Sequence, residues 1–299
     1  MPDDSAQHVW VDSLGPSTSS EPFVLATVLR AIDDHLVVRV NGTDVQRQVR
    51  LGADAWPLND SSSTSTRDAT SLDQTHPPAL LRWLQARFAS GSFFGDVGPD
   101  VLLYVNPLAP EPALWDEKEM AHASRSVAAA SAAAAAGGER EGVAHVFALA
   151  ERAIRHALAA EPTPQAIVLR GASGAGKTHV ASAAVRYVAW RAAGVVAEAD
   201  GARQLMRRLR HCEAALRALG SARTALNASS SRYSRRVQLR LLPSGRLLGV
   251  DILAFGLESA RAANAGGDAD GNFHCYHLAL HTANAAAAAA VADLSLIHI

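Results

Sequence analysis

Short apolar runs that alternate with polar residues dominate the first 60 residues of the chain. Such alternation is typical of β-strands that bury one face, and Asn41-Gly42 between two of the runs favours a hairpin turn. The pattern predicts a small all-β module over residues 1–60, followed by a Ser/Thr-rich linker over residues 61–71. The predicted strands cover residues 9–11, 23–29, 36–40 and 45–51.

Helical spacing of apolar residues begins after this linker. The Pro77-Pro78 pair suits the start of a helix that reaches residue 88, and a second amphipathic helix is predicted over residues 143–158. Between them, residues 95–99 should break the chain before a short buried strand over residues 101–105.

Low-complexity and basic stretches are interpreted as surface. The alanine-rich residues 127–138 predict an insertion without a function of its own. A solvated helix face is predicted at Arg203, Arg207, Arg208 and Arg210.

A third group of patterns predicts a strand, a helix and a hairpin. The apolar residues 166–169 indicate a strand, and helical spacing then continues until Gly194. Two further runs flank Pro243-Ser244-Gly245 and predict a hairpin over residues 237–252.

Between the strand at 166–169 and the helix lies the sequence GASGAGKT, residues 171–178, which fits the phosphate-loop pattern. The glycines Gly171, Gly174 and Gly176 let backbone N–H groups approach phosphate oxygens at a helix N-terminus, where the dipole favours anions. Lys177 is placed to bind the β- and γ-phosphates, and the Thr178 hydroxyl is placed to bind Mg²⁺.

Composition strengthens this interpretation and narrows the alternatives. Only two of the 28 basic residues are lysines, Lys118 and Lys177, so a lysine in the phosphate loop departs from the chain's preference for arginine. The formal net charge of −1 gives no case for nucleic acid or a membrane surface as the main partner. No transmembrane helix is expected, and the isolated Cys212 and Cys275 indicate neither a disulfide framework nor a zinc site.

Several separated segments together resemble the myosin motor domain. The phosphate loop is similar to the family's GESGAGKT, with Ala172 in place of the glutamate. The other similar segments are VLLYVNP (101–107), HVFALAERA (145–153), ALRALGSARTALNASSSRYSR (215–235), LPSGRLLGVDILAFGLESAR (242–261) and NFHCYHLAL (272–280). The resemblance implies an α/β fold with a P-loop NTPase core, a mixed sheet with flanking helices. A small Src-homology-3-like barrel would precede it, with motor-domain sequence over residues 72–293.

Site residues carry over from the family position by position. Lys177 and the loop residues, including Ala172, Ser173 and Ala175, would bind the phosphates of ATP. Thr178 and Ser231 would bind Mg²⁺. The remaining assignments are Asn227 to the phosphates, Ser230 to the attacking water, Arg232 to a glutamate of switch II, and Asn106, Pro107 and Trp115 to the adenine.

The same resemblance implies an ATP-hydrolysing motor that moves on actin filaments. Light chains on a neck and a cytoplasmic, cytoskeletal location in a myosin complex would follow. The family's switch II sequence, DIxGFE, has no counterpart here, because residues 251–256 match a different position of the family. We therefore expect an incomplete gene, an inactive fragment, and an adaptor-derived tail at residues 294–299, LSLIHI.

Two alternatives stay open. Ala172, Ser229 and the shifted Trp115 depart from the family pattern and fit a nucleotide-binding scaffold without turnover. A generic P-loop ATPase or kinase would instead use Asp251, at the end of an apolar strand, to bind Mg²⁺. A GTPase is disfavoured, because neither lysine lies in an N-K-x-D context.

Overall fold

The computed structural model describes residues 7–13, 21–59, 66–137, 142–194, 199–263 and 270–295, without the side chains of 199–203 and 286–295. The chain divides into two compact units, Met1–Pro110 and Glu111–Ile299. Arg203 and the last four residues of the predicted tail lie outside this description, whereas Arg207, Arg208 and Arg210 are exposed as expected. No helix among the described residues is long and apolar enough to cross a membrane.

The first unit begins with a five-stranded antiparallel sheet of order β4-β3-β2-β1-β5. Val9 and Val11 alternate with the partly exposed Trp10, so one face of β1 points into the core. The predicted hairpin at Asn41-Gly42 is confirmed: Gly42 has φ 77°, and the flanking strands β3 and β4 pair in register. The strands are β1 (His8–Asp12), β2 (Phe23–Ile32), β3 (His35–Val40), β4 (Gln46–Arg50) and β5 (Ala55–Pro57).

A helix and a two-stranded ribbon complete this unit. They are α1 (Pro77–Ala89), β6 (Phe94–Asp96) and β7 (Leu102–Tyr104). The prediction of a chain break from residue 95 is wrong at its start, because Gly95 lies within β6 and pairs with Leu103. Residue 95 of β6 has to be a glycine, because a Cβ there would collide with the indole of Trp83, which is fully buried. The glycine therefore marks close packing and not a break in the chain.

Part of the predicted linker has ordered contacts. Residues 60–65 lie outside the description, but Asp68 pairs with Asp96 in an isolated bridge and accepts a hydrogen bond from Thr70 N at 2.9 Å. Trp83 Nε1 donates to Thr66 O at 2.8 Å. The linker boundaries stay a prediction.

The second unit is built on three packed helices, α2 (Glu117–Ala135), α3 (Val146–Ala157) and α4 (Lys177–Ala193). Phe147 and Tyr187 stack at 5.4 Å between ring centroids. Beside them the fully buried Glu151 receives hydrogen bonds from Tyr187 and from two arginines, so its charge is compensated. The remaining elements are α5 (Ala199–Gly220), β8 (Ser221–Thr224), β9 (Asn227–Ser231), β10 (Ser234–Leu241), β11 (Leu247–Phe255), α6 (Ala260–Ala263) and α7 (His274–Ser295).

The strand predicted over residues 166–169 does not form. These residues carry no strand pairing in the described part of the chain, and Val168 is 78% exposed. An apolar run favours extended backbone, but a strand also needs a neighbour to satisfy its N–H and C=O groups.

The hairpin predicted over residues 237–252 is confirmed as β10 and β11, which pair antiparallel. Gly245 occupies the turn with φ 81°, as its position required. The alanine-rich residues 127–135 continue α2, and Val127 is buried there.

Candidate functional site

The phosphate loop, residues 171–178, connects residues 166–169 to α4. Gly171, Gly174 and Gly176 all have positive φ, at 151°, 81° and 87°. A side chain at these positions would strain the backbone, so the glycines allow the loop to curl before the helix begins. Gly176 is the N-cap of α4, and Lys177 and Thr178 are its first residues. The loop therefore ends at a helix N-terminus, where the backbone N–H groups of the first turn and the helix dipole favour an anion.

Lys177 lies across this loop. Its Nζ donates to Gly171 O at 2.8 Å and to Ala172 O at 2.7 Å. An ammonium has three donors, so it can bind a phosphate oxygen while it keeps contacts with the loop carbonyls. Ala172 contributes a carbonyl here, a role that does not depend on its side chain.

The strand β9 carries the predicted site residues Asn227, Ser230 and Ser231 and lies against the phosphate loop. Ser230 is 3% exposed, and its Oγ lies 2.9 Å from Ser173 Oγ. Asn227 Nδ2 donates to the same Ser173 oxygen at 3.4 Å and lies near Gly174. Residues more than 50 positions apart in the sequence thus meet through hydroxyl and amide groups.

The two predicted magnesium ligands also meet. Thr178 Oγ1 and Ser231 Oγ are 3.4 Å apart. Neighbouring ligands of an octahedral Mg²⁺ ion, with bonds of about 2.0–2.1 Å, are separated by roughly 2.9 Å. After a small approach of the two oxygens, the hydroxyl pair would fit as two ligands of a Mg²⁺ ion.

Arg232 follows β9 and pairs with a residue that the sequence interpretation missed. Its Nε donates to Glu258 Oε2 at 2.7 Å, and its Nη1 donates to Ser230 Oγ at 3.1 Å. The resemblance implied a switch II glutamate instead. The hydrogen bond from Arg261, and then the charge of Arg232, lower the pKa of Glu258, so it is an ionised partner. The sequence signal for this partner was the segment LESAR, residues 257–261, which ends the family-like segment 242–261.

The substituted residues beside β9 also have partners. Ser229, where the family has asparagine, lies 3.3 Å from His274 Nε2. Arg235, where the family has lysine, pairs with Glu213 of α5 at 3.2 Å. Both substitutions are therefore accommodated by local polar contacts.

The adenine-side residues fall in different units. Asn106 and Pro107 belong to the first unit, where Asn106 Oδ1 accepts from Leu108 N at 3.1 Å. Trp115 belongs to the second unit, and its ring lies 4.5 Å from that of His179, edge to face. Because His179 directly follows Thr178, Trp115 lies beside the first turn of α4.

Two histidines near Trp115 were not identified from the sequence. His145 caps α3 by accepting from Phe147 N at 3.1 Å, and burial lowers its pKa to about 4. Burial, together with the charges of Arg186 and Arg217, also lowers the pKa of His179. Both rings are therefore neutral at pH 7, and they form an aromatic group with Trp115 rather than a cationic one.

Asp251 bears on the generic ATPase alternative. It lies on β11 and pairs with Arg240 of β10 at 3.1 Å, with both side chains more than half exposed. A magnesium-binding aspartate is expected beside the phosphate loop, whereas this contact makes Asp251 part of the hairpin surface. The geometry gives that alternative no support.

The sequence of the chain matches one known protein family. The family model for the myosin head (motor domain) matches residues 66–296, which is most of the chain. The chain belongs to the myosin motor-domain family. Both the family prediction and the fold class, a mixed α/β myosin-type core preceded by a small β-rich unit, are confirmed.

Among its relatives are myosins of Arabidopsis thaliana. Myosin-11 is 29% identical over 82% of this chain, and Myosin-17 is 28% identical over 91% of it. These matches cover 15% of Myosin-11 and 16% of Myosin-17. The chain thus spans a small part of the myosins it matches. Myosin motor domains are ATPases as a family.

Proposed function

We propose that this chain is the N-terminal part of a myosin motor domain and that it binds MgATP. The observation that carries the proposal is the meeting of the phosphate loop with β9, through Ser173 with Ser230 and Thr178 with Ser231. Phosphoryl transfer depends on positioning and charge stabilisation, which two converging segments of this kind can supply.

Each site residue has a role in this proposal. The loop amides and Lys177 bind the β- and γ-phosphates, while Thr178 and Ser231 bind Mg²⁺. Ser230 orients the attacking water, and Arg232 pairs with a glutamate of switch II when the site closes over ATP. Bound Mg²⁺ would neutralise charge on the phosphate oxygens. Asn227 contributes to phosphate binding, and Asn106, Pro107 and Trp115 are assigned to the adenine.

In the complete protein, ATP hydrolysis would drive movement on actin filaments in the cytoplasm. This part of the proposal rests on family membership. Light chains would bind a neck outside this chain. We expect negligible turnover from the 299-residue chain itself, because it lacks a counterpart of switch II.

Titration of the purified chain with a fluorescent ATP analogue, with Mg²⁺ or with EDTA, tests the proposal. Lys177→Ala should weaken binding about 30- to 150-fold, since a charge-assisted hydrogen bond contributes roughly 2–3 kcal/mol. The other lysine, Lys118, is exposed on α2 and provides the matched control Lys118→Ala. Equal affinities for the two variants would contradict a phosphate-loop site.

The motor activity needs the complete protein. Its ATPase rate should rise on addition of actin filaments. Nucleotide binding without single-turnover hydrolysis would instead indicate the scaffold alternative. Loss of hydrolysis in Asp251→Asn would indicate the generic ATPase.

A further inference from the structure

One nearly buried arginine connects the two ends of β9. Arg261, in the short helix α6, is 8% exposed. Its Nη2 donates to Glu258 Oε1 at 3.1 Å and to Asp270 Oδ2 at 3.4 Å, and its Nη1 donates to Gly271 O at 3.1 Å. A planar guanidinium can make such divergent bonds at once, whereas an ammonium presents a single point charge.

The two carboxylates that Arg261 binds contact opposite ends of β9. Beyond its C-terminal end, Glu258 Oε2 accepts from Arg232 Nε at 2.7 Å. Before its N-terminal end, Asp270 Oδ1 accepts from Ala225 N at 3.2 Å. Each carboxylate thus uses one oxygen for Arg261 and the other for the chain that flanks β9. We call these two contacts, Glu258 with Arg232 and Asp270 with Ala225, the anchors of β9. The side chain of Arg261 bridges the two anchors.

Main-chain bonds reinforce both anchors. Glu258 N donates to Arg232 O at 2.9 Å, and Gly271 N donates to Arg223 O at 2.9 Å. A side chain at Gly271 would press on Arg223, because a Cβ there would lie 3.3 Å from the Arg223 Cβ. Close main-chain approach at both ends means that a shift of Arg261 would be transmitted to β9.

Between these anchors lie the groups that face the phosphate loop. Ser230 touches Ser173, and Ser231 touches Thr178. Arg232 also donates directly to Ser230 Oγ, so the path from Arg261 through Glu258 and Arg232 ends on a site hydroxyl. The path consists of charge-assisted hydrogen bonds of 3.1, 2.7 and 3.1 Å, which are directional.

We propose that Arg261 is a positioning residue that places the Ser230 and Ser231 hydroxyls for the magnesium-bound nucleotide by bridging Glu258 and Asp270. This inference rests on the proposed function, because it assigns Arg261 to the same site. The described bonds of Arg261 go to Glu258, Asp270 and Gly271 and not to the phosphate loop, so we expect its replacement to act on the Mg²⁺-dependent part of binding. The phosphate loop itself should still bind nucleotide without Mg²⁺ when Arg261 is replaced.

The experiment measures affinity for a fluorescent ATP analogue with Mg²⁺ and with EDTA in the full chain. Arg261→Met keeps an unbranched side chain as far as the position of Nε and removes the three bonds that the Nη atoms make. We expect the affinity gain from Mg²⁺ to fall about tenfold, with the EDTA affinity changed less than twofold. Arg261→Lys, which keeps the charge, should recover part of the gain. The matched control is Arg240→Met, which removes the exposed pair with Asp251 and should leave the gain unchanged.

A second readout does not need nucleotide. Hydrogen exchange at residues 227–232 should accelerate in Arg261→Met, while exchange within α4 should stay as in the wild type. If Arg261→Met does not fold, Asp270→Asn weakens the same bridge and should show a smaller effect of the same kind.

Three outcomes would decide against the proposal or separate it from the proposed function. An unchanged Mg²⁺ gain in folded Arg261→Met would overturn it. If the affinities with Mg²⁺ and with EDTA fall equally, the gain is likewise unchanged and the role of Arg261 is merely structural. If the wild-type chain binds no nucleotide, the proposed function fails. The exchange measurement then decides alone, and unchanged exchange at 227–232 would overturn the role of Arg261.

Discussion

The sheet of β1 to β5 and the ribbons of β8 to β11 use the same antiparallel pairing but bury very different amounts of apolar surface. In the sheet, Val9, Val11 and Val38 are at most 1% exposed. In β10 and β11, by contrast, every residue is partly or fully exposed, including Leu253 at 52% and Phe255 at 53%. The sheet is stabilised by its own core, whereas the β10–β11 ribbon is not.

This difference shows what each region needs in order to form. The sheet requires apolar side chains that alternate along each strand, a property of its own short sequence. The β8–β9 ribbon is positioned by polar contacts, from Ser230 to Ser173 and from Arg232 to Glu258. Such contacts contribute little each, about 0.5–1.5 kcal/mol net when neutral, so the site depends on several acting together.

A charge placed in each region should give the largest contrast. Val38→Asp buries a carboxylate in the sheet core and should cost more than about 4 kcal/mol, enough to unfold the sheet. Leu253→Asp, in the exposed ribbon, should change the free energy of unfolding by less than about 0.5 kcal/mol. Hydrogen exchange of β2, β3 and β11 in the two variants measures both effects. Similar losses of the free energy of unfolding in Val38→Asp and Leu253→Asp would contradict the difference in burial between the sheet and the ribbon.

The buried histidine of the second unit should produce a smaller, pH-dependent effect. Because burial depresses the pKa of His145 to about 4, the unfolded chain binds its proton first as pH falls. The free energy of unfolding should be fully maintained above pH ~6.5. It should then fall by about 1.4 kcal/mol per pH unit and level off below pH ~4.

His145→Asn provides the matched variant for this measurement. Asparagine can cap α3 but does not titrate, so its urea-unfolding curve should show a shallower decline between pH 6.5 and 4. Parallel pH slopes for the wild type and the variant would contradict a neutral, dry environment at His145. That result would mean that the surroundings of His145 are as open to solvent as the β10–β11 ribbon.

Local patterns predicted the elements whose stability is local. Asn41-Gly42 and Gly245 identified their turns, and Pro77-Pro78 identified the start of α1, because each rule depends on neighbouring backbone geometry. Residues 166–169 were misjudged as a strand because pairing depends on a partner that an apolar run cannot specify. Gly95 was misjudged as a break because its requirement comes from Trp83, twelve positions earlier.

The candidate site divides in the same way. Motif spacing predicted Lys177 and Thr178, since the chemistry of phosphate and Mg²⁺ fixes those residue types, and the family resemblance implied Ser230 and Ser231. It did not identify Glu258, Arg261 or the contact of Trp115 with His179, because ion pairs and ring contacts between distant segments leave no fixed spacing. These partners became visible only once the segments were placed together.

The most direct test asks whether the phosphate loop and β9 form one magnesium site. Thr178→Val and Ser231→Ala each remove one hydroxyl, and the double variant removes both. We expect each single variant to lose about tenfold of the Mg²⁺-dependent gain in affinity for a fluorescent ATP analogue, or about 1.4 kcal/mol. The double variant should lose little more than either single variant, because the two oxygens act on one ion. A Ser231→Ala chain that keeps the full Mg²⁺ gain while Thr178→Val loses it would contradict the account.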